Sequence, residues 1–323
     1  LLRGRVAFIH WDRPISAPRR AAEELYYIHW TATLLTPLAA GVAMLLRPLP
    51  EAWLVGYASA WPIALWAVAL RPRWERVRHV DVAIADLPPA LDGYRIVQLS
   101  DLHIGSLCPP GRAERWIRRA NALSPDLIAL TGDYVTSGVS FHADIARTLA
   151  GLTAPDGVVA IMGNHDYYGD GEPLLTLLAA ADVTVLRNSW CTRTRGDAEL
   201  HVAGIDDRYT QRADVAATFA ERPDISDRAT TLVLAHDPVL FPTIAEHGPA
   251  LVLSGHTHWG QIALPFAPQR LNVAGLRYRF HAGLGRIDGS QIYVSPGLGM
   301  TGAPLRFGAA PEITAITLRA AQC

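Results

Sequence analysis

Residues 94–104 read YRIVQLSDLHI, an apolar run typical of a buried strand that is followed at once by Asp101 and His103. The same arrangement recurs along the chain at LIALTGD (127–133), VVAIMGNHD (158–166), TLVLAH (231–236) and LVLSGHTH (251–258). In an open α/β sheet, ligands bind in the crevice at the carboxyl ends of the strands. The motifs are therefore predicted to bring their Asp, Asn and His side chains together at one edge of the fold.

Around these motifs, short β-rich runs alternate with helical stretches, which predicts an α/β sandwich from about Val80 onward. The predicted strands are Val80–Ala85, Tyr94–Leu99, Leu127–Thr131, Val158–Met162, His201–Gly204, Thr231–Ala235, Leu251–Ser254, Gln291–Val294 and Ile313–Leu318. The predicted helices are Gly111–Ala122, Ala143–Leu152, Pro173–Ala180 and Pro238–Glu246.

The motifs together predict a metal site, although each is weak when taken singly. They supply imidazole, carboxylate and amide groups whose burial in one crevice without a cation would be costly. A mixed nitrogen and oxygen set without sulfur favours Mn²⁺, Fe or Zn²⁺ over a structural thiolate zinc site. Cys108, Cys191 and Cys323 stand far apart and form no C-x-x-C pair, which also argues against a disulfide framework.

The order D-x-H, G-D, G-N-H-D, H and G-H-x-H resembles the calcineurin-like metallophosphoesterase superfamily, from about Val80 to Leu318. The resemblance implies an αββα sandwich that holds two divalent metal ions, with Mn²⁺ favoured and Fe, Zn²⁺ or Mg²⁺ as alternatives. The pair Gly260-Gln261 after GHTH and the run Pro311-Glu312-Ile313 resemble a bacterial, often membrane-associated branch of that family.

The resemblance also implies a role for each motif residue. Asp133 would bridge the two metals. The remaining ligands would be Asp101, His103 and His258 at the first metal, and Asn164, His236 and His256 at the second. His165 would face the leaving group, with Asp166 as its orienting partner. The implied reaction is hydrolysis of a phosphodiester or pyrophosphate bond by attack of a metal-bridging hydroxide.

Two positions depart from the family pattern. Thr136 stands where many relatives carry a further acidic residue, and Trp259 stands where this branch commonly has Gly. Neither departure removes a metal ligand, but Trp259 is expected to place a large ring near the mouth of the site. Arg306 is a weak candidate for a phosphate contact, against the alternative of a surface ion pair.

Three tyrosines directly follow metal motifs: Tyr134, Tyr167 and Tyr168. They either line the substrate pocket or pack as ordinary aromatic residues, and the sequence does not favour one alternative over the other.

Upstream of the motifs, Leu25–Leu46 and Ala52–Leu70 are windows of 22 and 19 residues without a charged side chain. Both meet the length of roughly 20 apolar residues that a transmembrane helix needs. The alternative is a pair of buried core helices, but the second window shows no polar stripe at helical spacing. Pro37 and Pro62 are better tolerated in membrane spans than in soluble helices. Two transmembrane helices, at about 25–46 and 52–70, are therefore predicted.

The connector Arg47–Glu51 is short enough to make these helices a hairpin, with both outer flanks on one side of the membrane. Those flanks, residues 1–24 and 71–78, carry nine Arg against one in the connector. The positive-inside rule then places both flanks in the cytoplasm. The predicted organisation is a membrane anchor over residues 1–78 and a catalytic domain over residues 79–323, on the cytoplasmic face of the bacterial inner membrane.

The overall net charge of −1 hides two different parts. Residues 1–78 hold 10 Arg and 5 acidic residues, whereas residues 79–323 hold 19 Arg and 25 acidic residues. An acidic catalytic domain argues against a nucleic-acid partner, since no basic stripe accompanies the site. The expected substrate is instead a phosphate ester or a pyrophosphate at the membrane. Because family relatives cleave UDP-2,3-diacylglucosamine, the resemblance suggests a lipid-linked substrate of this type. The alternatives are a general small-molecule phosphodiesterase and a non-catalytic metal-binding scaffold.

Overall fold

Two six-stranded mixed sheets form the centre of the computed structural model, which describes residues 12–46, 50–224 and 228–321. The strands are β1 (Arg76–Ile84), β2 (Arg95–Leu99), β3 (Leu127–Leu130), β4 (Val158–Ala160), β5 (Val183–Val185), β6 (Ser189–Arg195), β7 (Ala198–Ile205), β8 (Ala229–Ala235), β9 (Leu251–Ser254), β10 (Gly283–Ile287), β11 (Ser290–Val294) and β12 (Glu312–Ala320). Their orders are β1-β12-β2-β3-β4-β5 in the first sheet and β10-β11-β9-β8-β7-β6 in the second.

The helices are α1 (Ala17–Leu46), α2 (Ala52–Leu65), α3 (Pro110–Asn121), α4 (His142–Leu149), α5 (Glu172–Ala179), α6 (Val215–Ala220) and α7 (Phe241–Ala245). The apolar faces of α3, α4 and α5 cover the outer face of the first sheet, and α6 and α7 cover that of the second. The fold is an αββα sandwich, as expected, preceded by two long apolar helices.

The core between the sheets follows from alternation along the strands, because successive side chains point to opposite faces. In β2, Ile96 points between the sheets, whereas Val97 and Leu99 pack against the outer helices. Burial of one such side chain stabilises the fold by about 1.5–3 kcal/mol. A strand that is apolar on both faces, as β2 and β3 are, belongs inside such a covered sheet.

All nine predicted strands are present, and β5, β6, β10 and α6 are additional. The sequence of β6, SWCTRTR, is half exposed and mostly polar, so no apolar run marks it. Two glycines interrupt β10, GLGRI, which weakens any strand pattern. Strand β1 begins at Arg76, before the predicted start of the catalytic domain at residue 79.

Helices α1 and α2 lie side by side as a hairpin, and each helical segment is long and apolar enough to cross a bilayer. Gly56 allows the close approach, because a Cβ there would collide with the backbone of Ala40. Helix α2 ends in a π-helical turn over Trp66–Leu70 and a 3₁₀ turn over Arg71–Arg73. The predicted connector turn falls partly on residues 47–49, which lie outside the described residues.

The base of the hairpin packs on the loops of the sandwich. Tyr27, Ile28 and Val68 form one apolar cluster with Leu107 and Leu305. The Arg20 side chain donates a hydrogen bond to the carbonyl of Ser106, and the Arg306 backbone N–H donates to the carbonyl of Ala67. The hairpin is therefore joined to the segments after β2 and before β12.

Glu75, at the junction of hairpin and sandwich, is buried between Arg115 and Arg119 of α3, with oxygen–nitrogen distances of 2.6 and 2.7 Å. Burial acts to raise its pKa, but the arginines hold the pKa below the usual value. Because the pKa of Glu75 is lower in the folded than in the unfolded protein, its ionised form stabilises the fold at pH values above the unfolded-state pKa. This stabilisation is lost as the pH falls through the folded-state pKa.

Glu75→Gln is expected to destabilise the protein by about 1–3 kcal/mol at neutral pH, because it removes two charge-assisted hydrogen bonds. Thermal unfolding in detergent measures this, and the difference from wild type should shrink as the pH falls below about 4. Glu114→Gln is the matched control, since Glu114 is exposed on α3, the helix that carries Arg115 and Arg119. Equal effects of the two substitutions would contradict a structural role for the ion pair.

Candidate metal centre

The five motifs meet at one end of the sandwich, at the carboxyl ends of β2, β3, β4, β8 and β9. Strands β2, β3 and β4 are parallel neighbours in one sheet, and β8 and β9 are parallel neighbours in the other. The loops that follow them therefore face one another across the end of the two sheets. Of the ligand residues predicted from the sequence, all but His256 are buried almost completely.

A first cluster consists of Asp101, His103 and His258. The Nε2 atoms of the two rings lie 3.0 Å apart, and His258 Nε2 lies 3.3 Å from Asp101 Oδ1. Burial lowers the pKa of both rings well below the usual value, so both are neutral. Burial also raises the pKa of Asp101, to about 6. Two facing imidazole nitrogens beside a carboxyl group are an arrangement that a cation between them would stabilise.

A second cluster consists of Asp133, His236 and His256, with Asn164 beside it. His236 Nδ1 lies 2.7 Å from the carbonyl of Thr131, which orients Nε2 toward Asp133 Oδ2 at 3.2 Å. His256 Nδ1 lies 3.0 Å from Asn164 Oδ1. These four residues are the ones predicted for the second metal together with its bridging carboxylate.

Asp133 links the two clusters, because its Oδ2 also lies 3.5 Å from His103 Nε2. Burial alone would raise the pKa of Asp133, but His236 and His165 hold that pKa well below the usual value. The carboxylate is therefore ionised and lies between imidazoles of both clusters. This is the position that a shared ligand of two cations requires.

The backbone at these ligands is held in the left-handed region, which non-glycine residues seldom adopt. Positive φ angles occur at Asp101 (52°), His103 (45°), Asp133 (57°), His256 (67°) and His258 (49°). Gly163 makes the packing possible, since a Cβ there would collide with the Asp133 carboxylate. Strain of this kind persists where the surroundings over-determine it, and it concentrates at functional sites.

The donor set fits two divalent cations. Within each cluster the ligand atoms lie within 4.8 Å of one another, and they are nitrogen and oxygen atoms without sulfur. Such sets suit Mn²⁺, Fe and Zn²⁺. The clusters are thus consistent with a dinuclear metal site.

Comparison with known proteins agrees with this geometry. The model of the calcineurin-like phosphoesterase family matches residues 94–260, which include every metal motif. The chain is also 36% identical to the uncharacterized metallophosphoesterase YkuE of Bacillus subtilis, over 79% of this chain and 89% of that protein. The chain belongs to the calcineurin-like phosphoesterase family.

A second relative of this phosphoesterase is a transmembrane protein with a metallophosphoesterase domain from Danio rerio, 31% identical over 80% of this chain. The chain spans 61% of that relative's length. Together with the two apolar helices, this likeness indicates membrane association. Among solved structures, one described as a novel archaeal phosphodiesterase is 15% identical with a TM-score of 0.35, over 63% of this chain and 83% of that one.

His165 of this phosphoesterase lies beside both clusters, with its ring centroid 4.7 Å from that of His103. Its Nδ1 lies 2.6 Å from the carbonyl of Thr136, and its Nε2 lies 3.3 Å from Thr301 Oγ1. A ring whose Nδ1–H donates to a carbonyl has a fixed orientation, which leaves Nε2 to face the site. Thr136, noted as a departure from the family pattern, thus positions His165 through its backbone.

Asp166 was expected to orient His165, but its carboxylate instead accepts hydrogen bonds from the backbone N–H groups of Asp133, Tyr134, Val135 and Gly163. Burial and the nearby Asp133 act to raise the pKa of Asp166, whereas the hydrogen bonds from the N–H groups of Gly163 and Val135 act to lower it. Asp166 therefore positions the loop that carries Asp133, and the orientation of His165 comes from Thr136.

Asp166→Asn is expected to weaken Mn²⁺ binding by about 10–100-fold, because its amide group would turn a donor toward backbone donors and shift Asp133. Calorimetric titration of Mn²⁺ into the metal-free protein measures this. Asp288→Asn, in the exposed turn between β10 and β11, is the control. Unchanged affinity in the Asp166 variant would show that the loop does not depend on this carboxylate.

Two expectations about large side chains were wrong. The Trp259 ring is buried, and its Nε1 donates to the carbonyl of Val294, so the ring does not stand at the mouth of the site. Arg306 is fully buried, so it forms no surface ion pair, and backbone carbonyls engage its guanidinium group. It donates to the carbonyls of Gly299 and Pro296, and its Nη2 lies 3.2 Å from His258 Nδ1.

The three tyrosines that follow metal motifs have different roles. Tyr134 is buried and donates to the carbonyl of Ile161, and Tyr167 donates to Asp206, so both are packing residues. Tyr168 borders the site, because its hydroxyl accepts a hydrogen bond from Asn164 and its ring lies against His165.

Tyr278 was missed from the sequence, although its hydroxyl lies 3.3 Å from His256 Nε2. It lines a cavity of about 470 Å³ together with Arg208, Tyr209, Arg277 and His256. A long irregular segment separates Tyr278 from the GHTH motif, so neither spacing nor periodicity could have identified Tyr278 as a site residue.

Proposed function

We propose that the chain is a membrane-anchored phosphoesterase that uses two divalent cations to hydrolyse a phosphodiester or pyrophosphate bond of a lipid-linked substrate. The observation that carries this proposal is the position of Asp133 between two His/Asp clusters, with His165 beside both. A non-catalytic metal-binding scaffold would not need a histidine held in a fixed orientation at this place.

The first cation would be held by Asp101, His103 and His258, and the second by Asn164, His236 and His256. Asp133 would contact both. Bound divalent cations of this kind, with Mn²⁺ favoured by the donor set, act as Lewis acids toward phosphoryl oxygens and lower the pKa of coordinated water. Elemental analysis of the purified protein identifies the metals.

His165 would donate a proton from Nε2 to the leaving oxygen, because its Nδ1 is already engaged by the carbonyl of Thr136. Thr301 lies at hydrogen-bond distance from the same Nε2 and would restrict the rotation of the ring. Tyr278 would hold the ring of His256 through its Nε2 while Nδ1 faces Asn164.

The cavity beside His256 supports a substrate with a second anionic group. Arg277 stacks on Tyr278 at 5.5 Å, and Arg208 lies 3.1 Å from the buried carboxylate of Asp237. Guanidinium groups on an aromatic wall bind phosphate and planar groups well. Arg208 is already paired with Asp237, but Arg277 lies next to the second cluster without a described ion-pair partner. A pyrophosphate such as that of UDP-2,3-diacylglucosamine, with its second anionic group, is therefore favoured over a simple diester.

Both flanks of the hairpin would lie in the cytoplasm, as the arginine distribution predicts, and the catalytic domain would meet its substrate at the inner face of the bacterial cytoplasmic membrane. A reporter enzyme fused after Cys323 tests this placement. Activity of that reporter in the periplasm would overturn it.

The substrate is tested with detergent-solubilised full-length protein and Mn²⁺, by comparing UDP-2,3-diacylglucosamine with glycerophosphodiesters and a chromogenic phosphodiester. Preferential cleavage of the lipid-linked pyrophosphate supports the proposal, whereas preference for small diesters supports a general phosphodiesterase. Metal binding without turnover of any of the three would favour the scaffold. Arg277→Ala should raise KM for the pyrophosphate more than for the chromogenic diester.

A further inference from the structure

Residues 262–276, here called the apolar loop, expose an unusual number of large apolar side chains. Phe266 is 83% exposed and Leu276 is 89% exposed. Four more apolar side chains in the loop are exposed: Ile262, Leu264, Leu271 and Val273. Contiguous apolar surface of this kind on a folded domain marks a site of interaction.

The loop is held in this conformation by its own backbone. The Leu264 N–H donates to the carbonyl of Leu271 at 2.9 Å, and the Val273 N–H donates to the carbonyl of Ile262 at 3.0 Å. The Asn272 side chain accepts from the N–H of Gly275. Because these hydrogen bonds fix the backbone conformation of the loop, the apolar side chains stay exposed and cannot fold back onto the core.

The loop is continuous with the base of the hairpin. Phe307 joins the two, since its carbonyl accepts from the N–H of Ala263 and its N–H donates to the carbonyl of Gln261, at 2.7 and 2.8 Å. Phe307 and its neighbour Leu305 pack in the same cluster as Tyr27 and Val68 of the hairpin. The apolar loop therefore lies on the side of the sandwich that carries the proposed membrane anchor.

The charge around the loop differs from that of the rest of the catalytic domain. Residues 255–287 contain Arg270, Arg277, Arg279 and Arg286 and no Asp or Glu, whereas residues 79–323 together hold more acidic residues than Arg. Exposed apolar side chains flanked by arginine suit the interface of a bilayer that contains anionic lipids. A water-soluble protein partner would not need the loop to adjoin the hairpin.

We propose that the apolar loop inserts into the interfacial layer of the bilayer that the hairpin crosses, with Arg270 and the arginines that follow the loop against anionic headgroups. The proposal rests on the membrane anchoring in the proposed function. The loop runs from the GHTH motif to Tyr278, whose hydroxyl reaches His256. Insertion would consequently hold the cavity beside His256 at headgroup level, where a lipid-linked phosphate enters without leaving the membrane.

The test places a single environment-sensitive dye (NBD) on the loop of the full-length protein in lipid vesicles. Leu276→Cys is made in a background with Cys191→Ser and Cys323→Ser, since the buried Cys108 is protected from labelling. Asp197→Cys is the control position, because Asp197 is exposed in the turn before β7, at the end of the sheet opposite the metal centre. Vesicles of phosphatidylcholine, with and without phosphatidylglycerol, carry bromine on the acyl chains.

We expect the emission at position 276 to shift to the blue and to be quenched by the brominated lipid, more strongly with phosphatidylglycerol and less at high salt. The dye at position 197 should show neither effect. A further Phe266→Ser substitution should reduce quenching at position 276.

Emission at position 276 equal to that at position 197 would overturn the proposal. A blue shift without bromine quenching would overturn it too, because it would mean that a second copy or another part of the chain covers the loop. The readout requires no turnover and is also made in the presence of a chelator. Failure of catalysis therefore cannot be mistaken for failure of insertion.

Discussion

Replacement of Asp133 by asparagine is expected to lower kcat for a chromogenic phosphodiester by at least roughly 10²–10³-fold in the presence of Mn²⁺. The physical reason is the place of its carboxylate, whose Oδ2 lies 3.2 Å from His236 Nε2 and 3.5 Å from His103 Nε2. No other described carboxylate approaches imidazoles of both clusters in this way. An amide at that position keeps the shape but loses the negative charge.

The consequence for the metals is measured separately from activity. Elemental analysis should find about two metal ions per chain in the wild type and fewer in the variant, since the binding of divalent cations depends on ligand charge. Asp144→Asn is the matched control. Asp144 is partly exposed on α4, and its one described ion pair is with Arg147 on the same helix. Wild-type turnover in the Asp133 variant would contradict a dinuclear centre.

The position of the metal site could be predicted from sequence because its candidate ligands lie within a few residues of strand ends. Asp101 and Asp133 stand immediately beyond apolar runs that are recognisable from composition alone, and the topology of parallel strands brings such ends together. The local sequence and one general rule of sheet geometry suffice for the position of the site, whereas the role expected of each ligand rested on the resemblance to the family. Local sequence also identified the two apolar windows of the hairpin, because each is an uncharged run about as long as a transmembrane helix requires.

The roles of Asp166, Arg306 and Tyr278 could not be derived in that way. Asp166 is adjacent to His165 in sequence, yet its carboxylate turns toward the backbone of another loop. The guanidinium group of Arg306 is buried because it donates hydrogen bonds to carbonyls of the irregular segment before β12. Each outcome depends on how distant loops pack, and that information is absent from periodicity and spacing.

His165→Ala is expected to produce a loss that depends on the leaving group of the substrate. With a poor leaving group, such as an alkoxide, kcat should fall by roughly 10²–10⁴-fold, since proton donation to the departing oxygen is then required. With p-nitrophenolate, which departs without a proton, the loss should be much smaller. His247→Ala, an exposed histidine stacked on Phe219, is the matched control and should change neither rate.

The leaving-group dependence separates proton donation from the other role that His165 could have. His165 also belongs to a group with His103 and Asp133 that could hold a cation, so its loss could act through metal binding. A metal ligand contributes whatever group departs, and its removal would lower both rates equally and reduce the metal content. The carbonyl of Thr136 engages Nδ1, and Nε2 alone is left for the site. Unequal losses at full metal content would therefore assign Nε2 to the leaving oxygen, and equal losses would assign it to the metal.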